Sequence, residues 1–156
     1  MQPRLNTQKV APGAIQAMLE MENYIRKSSR LEPSLLELVR MRASQINGCA
    51  YCLDMHSKDA RAAGETEQRL YVLPAWRETS FYTERERAAL AWAEALTQLA
   101  GHEVSDELYE QVRHQFGEKE IVDLSLAIIG INGWNRLAIP FRAEAGIYQP
   151  AAAHAK

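Results

Sequence analysis

No stretch of this chain alternates apolar and polar residues with the period of two that a half-buried strand requires, and that absence removes most folds open to it. Its apolar residues recur at helical spacing, and its breaks fall where helices start and stop. Residues 10–30 open with Pro12 near the first turn and carry Ile15, Met18, Leu19, Met21 and Ile25. Pro33 starts a second helix, in which Leu35, Leu36, Leu38, Val39 and Met41 are dense enough to be mostly buried. Asn47-Gly48 interrupts it, a third helix runs from about Cys49 to Ala63, and Gly64 closes that one. A short helix over residues 67–72 stops at Pro74. Thr83-Glu84-Arg85-Glu86 is a capping box that starts a helix running to about Leu99. Ser105 opens another that ends near Gly117, and the last runs from Glu118 through Leu124, Ile128 and Ile131 to Phe141, with Pro140 expected to kink it. The pattern predicts an all-α fold of about six to seven helices. One domain spans residues 10–148, with an extension over 1–9 and a disordered tail over 149–156.

A chain of 156 residues is long enough to bury a real core. Its formal net charge of −2 argues against nucleic acid or an anionic membrane as partner. Arg40, Arg42, Arg85 and Arg87 are interleaved with glutamates, the pattern of ion pairs or solvated helix faces. Trp76, Trp92 and Trp134 read as core or interface anchors. The first ten residues show no apolar stretch of the kind a secretion signal carries. The greasiest run, residues 124–131, falls far short of the roughly 18 residues a membrane span needs. A cytoplasmic location is the expectation.

In a reducing compartment, a lone vicinal cysteine pair is more often redox-active or metal-binding than a structural staple. The chain has two cysteines, Cys49 and Cys52, in Cys49-Ala50-Tyr51-Cys52, with His56 four residues further on. On a helix the three share one face, and Cys52 and His56 are neighbours within reach of a direct or water-bridged hydrogen bond. A reactive thiol must lose its proton near neutral pH. His56 can take that proton from Cys52, while a helix N-terminus can hold an anion at Cys49. These devices favour different sulfurs. Cys52, with a specific base beside it, is the expected attacking thiol, and Cys49 the one that resolves the sulfenic acid into a disulfide. A carboxylate could orient His56 and raise its basicity. Glu37, on the preceding helix, fits that role, and Glu20, Glu22 and Glu32 fit it on spacing alone. The competing readings are two inert buried thiols or a zinc site. Zinc normally takes four ligands, and His102, His114 and His154 lie at no ligand spacing.

The run from Glu37 through Cys49-Ala50-Tyr51-Cys52 to His56 is a glutamate, eleven residues, CxxC, three residues and a histidine. It resembles the core of the alkylhydroperoxidase AhpD-like, or carboxymuconolactone decarboxylase, family. Residues 83–96 resemble the helix that follows in that family. Asn132-Gly133-Trp134-Asn135-Arg136-Leu137-Ala138-Ile139-Pro140-Phe141-Arg142 resembles the C-terminal signature of its short, single-core members. The resemblance implies an AhpD-like helical fold, a homo-oligomer of trimer or hexamer type, and thiol-dependent peroxidase activity without cofactor or resident metal. It implies a hydroperoxide substrate, a dithiol or thiol-protein reductant, and Glu37, Cys49, Cys52 and His56 as relay and redox residues. One departure stands out. A second histidine precedes the second cysteine in the peroxidase branch, and Tyr51 stands there in this chain. With a pKa near 10, tyrosine is a poor base at neutral pH. The decarboxylase branch lacks the cysteine pair, so that lyase activity is not expected. The alternative is a redox-sensing or metal-binding oligomer that turns over nothing. Asn132, Asn135 and Arg136 amid apolar residues suggest a subunit interface whose polar groups are satisfied across it.

Overall fold

The computed structural model describes residues 2–150, so residues 151–156 of the expected tail lie outside it. Among the described residues there is no strand. The helices are α1 (Thr7–Val10), α2 (Pro12–Ser28), α3 (Pro33–Asn47), α4 (Ala50–Ala62), α5 (Glu67–Val72), α6 (Glu84–Thr97), α7 (Asp106–Gln115) and α8 (Glu118–Phe141), with a 3-10 turn over Leu73–Glu78. The all-α expectation holds, with one helix more than expected. That helix is α1, a single turn across the boundary between the 1–9 extension and the domain, capped where the Asn6 side chain accepts the Lys9 N–H.

Local chemistry sets most of the ends. Proline opens α2 and α3, where a missing N–H costs nothing. The Thr83–Glu86 capping box forms at α6, and Ser105 caps α7. Pro140 is the next-to-last residue of α8, so it ends the helix instead of kinking it. Arg142 then closes the helix in the left-handed conformation.

Helix α3 lies at the centre, with α4, α6 and α8 packed on it. Its Leu35, Leu36, Leu38, Val39, Met41 and Ala43 are all buried. Each large side chain among them contributes roughly 1.5–3 kcal/mol by leaving water. Leu35, Leu36 and Val39 join Ile25, Trp92, Leu124 and Ile128 in one cluster, while Leu38 and Met41 meet Leu73, Trp76 and Leu90 in another. Glu94 ties α6 to its neighbours by accepting from Arg42 at 2.7 Å, Trp76 at 2.8 Å and Arg77 at 2.5 Å.

The polar residues of α8 are satisfied within the chain, which corrects the expected role for them. Asn132 bonds Asn47, Thr97 and the Ile128 carbonyl, and Arg136 bonds Asn132. Asn135 is fully buried in the bundle. The indole of Trp134 donates to Glu22 on α2 at 3.2 Å. Helix α2 crosses α8 at its glycines, where a Cβ on Gly130 would lie 3.0 Å from Glu22 Oε1.

The turn from α3 to α4 takes only two residues, Gly48 and Cys49. Gly48 has φ of 71°, and the N–H of Cys49 bonds the Ser44 carbonyl at 3.0 Å. Two residues therefore reverse the chain and lay α4 back along α3. A side chain at Gly48 meets no neighbour, but an L residue in this conformation costs about 1–2 kcal/mol. Gly48→Ala is expected to lower stability by about that amount, read as a lower denaturant midpoint with unchanged slope.

Candidate active site

Cys49 is the N-cap of α4, and its sulfur accepts the backbone N–H of Cys52 at 3.4 Å. The two sulfurs lie 2.6 Å apart in hydrogen-bond contact, and both cysteines are free. Each is 1 % exposed. That contact decides where charge sits in the reduced pair. The hydrogen bond from Cys52 pulls the Cys49 thiol down to about 7 against the opposing effect of burial, with help from the Cys52 and Tyr51 backbone N–H groups and Asn135. The same bond, together with burial and the charge on Cys49, pushes Cys52 far up. The resting anion therefore belongs to Cys49, at the positive end of a helix. Access favours the other sulfur. Cys52 lines a cavity of about 490 Å³ together with Glu37, Tyr51 and His56, and Cys49 lies behind it.

His56 is buried on α4, two turns after Cys49. Its Nδ1 sits 2.8 Å from Glu37 Oε2, so among the four glutamates left open by spacing Glu37 is the partner. An Nδ1–H donated to Glu37 leaves Nε2 as the acceptor, which is the tautomer this pairing favours. No direct hydrogen bond joins His56 to Cys52 among the described residues, which leaves the water-bridged form of that expectation. Glu37 also accepts from Arg40 at 2.7 Å, and Arg40 reaches Glu22 at 2.7 Å. Burial would raise the Glu37 carboxyl, but the hydrogen bonds and charges of His56 and Arg40 hold it below the usual range. A continuous chain thus runs from Trp134 through Glu22, Arg40 and Glu37 to His56. Glu20 lies near Gln16, and Glu32 pairs with Arg85 away from the site.

Two further residues join the site, Asn135 and Asp59. Asn135 places its amide against both sulfurs, where it favours negative charge on either one. Its orientation is held by Asn47 Nδ2, which donates to it at 2.8 Å, and by Ser44 Oγ, which accepts from it at 3.2 Å. The signal was present: Ile121, Leu124, Ile128, Ile131 and Asn135 form one buried stripe, so a polar residue stands at a core position. Asp59 also lines the cavity and accepts from the Tyr148 hydroxyl at 2.8 Å. Ligand atoms of Glu37, His56 and Asp59 lie within 4.8 Å of one another. Two of these groups are committed to each other, and Glu37 is further paired with Arg40. Tyr51 is half-buried, and burial together with the nearby thiols raises its hydroxyl, which makes it a still poorer base. His102 and His114 are exposed and far from the site in the chain.

The cavity is largely apolar away from this cluster, with Ile15, Met55, Trp134 and Phe141 among its walls. Trp76 and Trp92 are core residues, whereas Trp134 faces the cavity. No helix of the described residues is long and apolar enough to cross a membrane.

A match to the carboxymuconolactone decarboxylase family covers residues 12–95, more than half of the chain, and the protein belongs to that family. Its fold is AhpD-like. The chain is 46 % identical over 139 residues to the uncharacterized protein YdfG of Bacillus subtilis, covering 89 % of this chain and 94 % of that one. A crystal structure from Agrobacterium tumefaciens, of a protein of unknown function described as a candidate antioxidant defence protein AhpD, superposes with a TM-score of 0.90 at 41 % identity. It covers 94 % of this chain and 100 % of its own. A debrominase shares the fold at a TM-score of 0.80 and 21 % identity, over 90 % of this chain and 75 % of that one.

Reduced protein is expected to show one thiol deprotonating with a midpoint near pH 7, while the second stays protonated well above it. Because the acid form is the neutral thiol, thiolate absorbance rises with pH through that midpoint. Cys49→Ser removes the low step. Asn135→Leu strips Ser44 of its partner, and is expected to cost about 1–3 kcal/mol and to move the midpoint upward.

Proposed function

We propose that this protein is a thiol-dependent peroxidase that reduces hydroperoxides through a Cys49/Cys52 dithiol–disulfide cycle. The observation that carries the reading is the placement of Cys52 on a cavity beside a histidine oriented by Glu37, with a second sulfur 2.6 Å behind it. Loss of one proton from the pair leaves a single proton between the sulfurs. Its shift toward Cys49, or transfer from Cys52 through water to His56 Nε2, gives the Cys52 thiolate. That thiolate attacks the outer peroxide oxygen. The O–O bond breaks, the alkoxide takes a proton from His56 or Cys49 and leaves as the alcohol, and Cys52 becomes the sulfenic acid. The Cys49 thiolate then attacks Cys52 sulfur, forming the disulfide and expelling hydroxide, which is protonated to water. An external dithiol or thiol protein returns two electrons and two protons.

Asn135 supports both thiolate stages, since its amide favours charge on either sulfur. Glu37 keeps the imidazole in the tautomer that accepts at Nε2 and stabilises it once it is charged. Decarboxylation of a carboxymuconolactone is not proposed. The polar end of the cavity carries Glu22, Glu37 and Asp59 against the single guanidinium of Arg40, which two of those carboxylates already occupy. An anionic substrate would meet net negative charge there.

Steady-state turnover of an organic hydroperoxide with a dithiol reductant tests the reading. Cys52→Ser is expected to abolish turnover. His56→Ala and Glu37→Gln are expected to reduce kcat/KM by about 10²–10⁴-fold and by a smaller factor respectively. Stoichiometric oxidation of the pair without turnover would instead assign a redox sensor. Activity kept in Cys52→Ser and lost in Cys49→Ser would reverse the two sulfurs. Self-association is part of the proposal, supported by Val122 and Ile129, 67 % and 58 % exposed and two turns apart on α8. Sedimentation of wild type against Ile129→Lys reads it, with a smaller species expected for the variant.

A further inference from the structure

Cys52 and His56 line a cavity of about 490 Å³ and yet are almost completely shielded. Most of the wall is helix bundle. One part is not: residues 4–8, which precede the segment matched by the family, place Leu5, Thr7 and Gln8 on the cavity. We propose that this arm, and Leu5 in particular, determines substrate size by narrowing the passage to Cys52. The proposal rests on the peroxidase reading for its substrate but not for its geometry.

The arm is fastened at its start and jointed at its end. The N–H of Arg4 donates to the Phe141 carbonyl at 3.0 Å, and the Arg4 guanidinium donates to the Pro140 carbonyl at 3.1 Å. Those carbonyls are free because they belong to the last turn of α8, where no intrahelical partner exists. At the other end, Ala11 has φ of −138° and ψ of 64°, which separates α1 from α2. Helix α1 is a single turn with no buried residue. A four-residue helix has little stability of its own, so two hydrogen bonds and the Leu5 side chain hold the arm in place. Leu5 is 40 % exposed, its remaining surface turned to the protein. Slender hydroperoxides pass this wall as it stands. Those with a broad aryl or branched body need the arm displaced, and so pay for breaking its contacts.

Alkylation of Cys52 in the reduced full-length protein tests the proposal without any peroxide. Iodoacetamide serves as the small reagent and an N-arylmaleimide as the broad one, with modification at Cys52 read by peptide mass spectrometry. Leu5→Gly and Arg4→Ala are expected to raise the arylmaleimide-to-iodoacetamide rate ratio by about tenfold, and Leu5→Trp to lower it comparably. Circular dichroism and thermal melts establish that each variant is folded. Ratios within about twofold of wild type in all three folded variants overturn the proposal. The kcat/KM ratio for cumene hydroperoxide over tert-butyl hydroperoxide is expected to shift in the same directions. Shifted alkylation ratios with no turnover in any protein uphold the arm and sink the peroxidase reading. Turnover with unchanged alkylation ratios does the reverse.

Discussion

The left-handed turn at Gly48 is the constraint on which the remaining arrangement depends. It ends α3, makes Cys49 the first cap of α4, and lays the two helices side by side. Each of these has a chemical result. The cap puts one sulfur at the positive end of a helix. One turn later comes the second sulfur, in hydrogen-bond contact with the first. The antiparallel return then brings His56 onto Glu37, although they are nineteen residues apart in sequence. A longer connection would leave the cysteines capping nothing and the imidazole without its carboxylate.

Around that hairpin the protein places polar groups where a core would ordinarily be apolar. Asn47, Ser44 and Asn135 form one hydrogen-bonded set beside the sulfurs, and Glu22, Arg40 and Glu37 another beside the histidine. Buried groups of this kind are tolerated because each has a partner, and leaving any one unpaired would cost more than the bond returned. Their gain is orientation. The amide of Asn135 is held by Asn47 and Ser44, and the carboxylate of Glu37 by Arg40 and His56.

Helix order, caps and the cysteine–histidine face were legible because they depend on residues close in sequence. Pro33, Gly48, the Thr83 box and Ser105 each act within one turn of the end they define. Glu37 was one of four candidates, since a periodic pattern gives the face of a helix but not which turn meets its neighbour. Asn135 and Leu5 arrive at the site from distant segments, whereas Asp59 lies on α4 itself, three residues after His56 and on the face that Cys52 and His56 share. Asn135 is fully buried and bonded within the chain, where its sequence context suggests an interface. A polar residue in an apolar helix suggests either an interface or a buried network, and only the crossing of α8 over α3 distinguishes them. The spacing of Trp134 likewise suggests only an anchor, whereas its indole N–H donates to Glu22.

Gly130 touches neither sulfur nor imidazole. Its bare backbone leaves just enough room for the Glu22 carboxylate, and a methyl group there would press on the oxygen that receives the Trp134 indole. That carboxylate is joined in turn to Arg40, Arg40 to Glu37, and Glu37 to His56. The room for the first carboxylate of that series is thus set by the thinness of α8 at Gly130. The missing side chain acts as a spacer at the start of a hydrogen-bonded series that ends on the His56 imidazole.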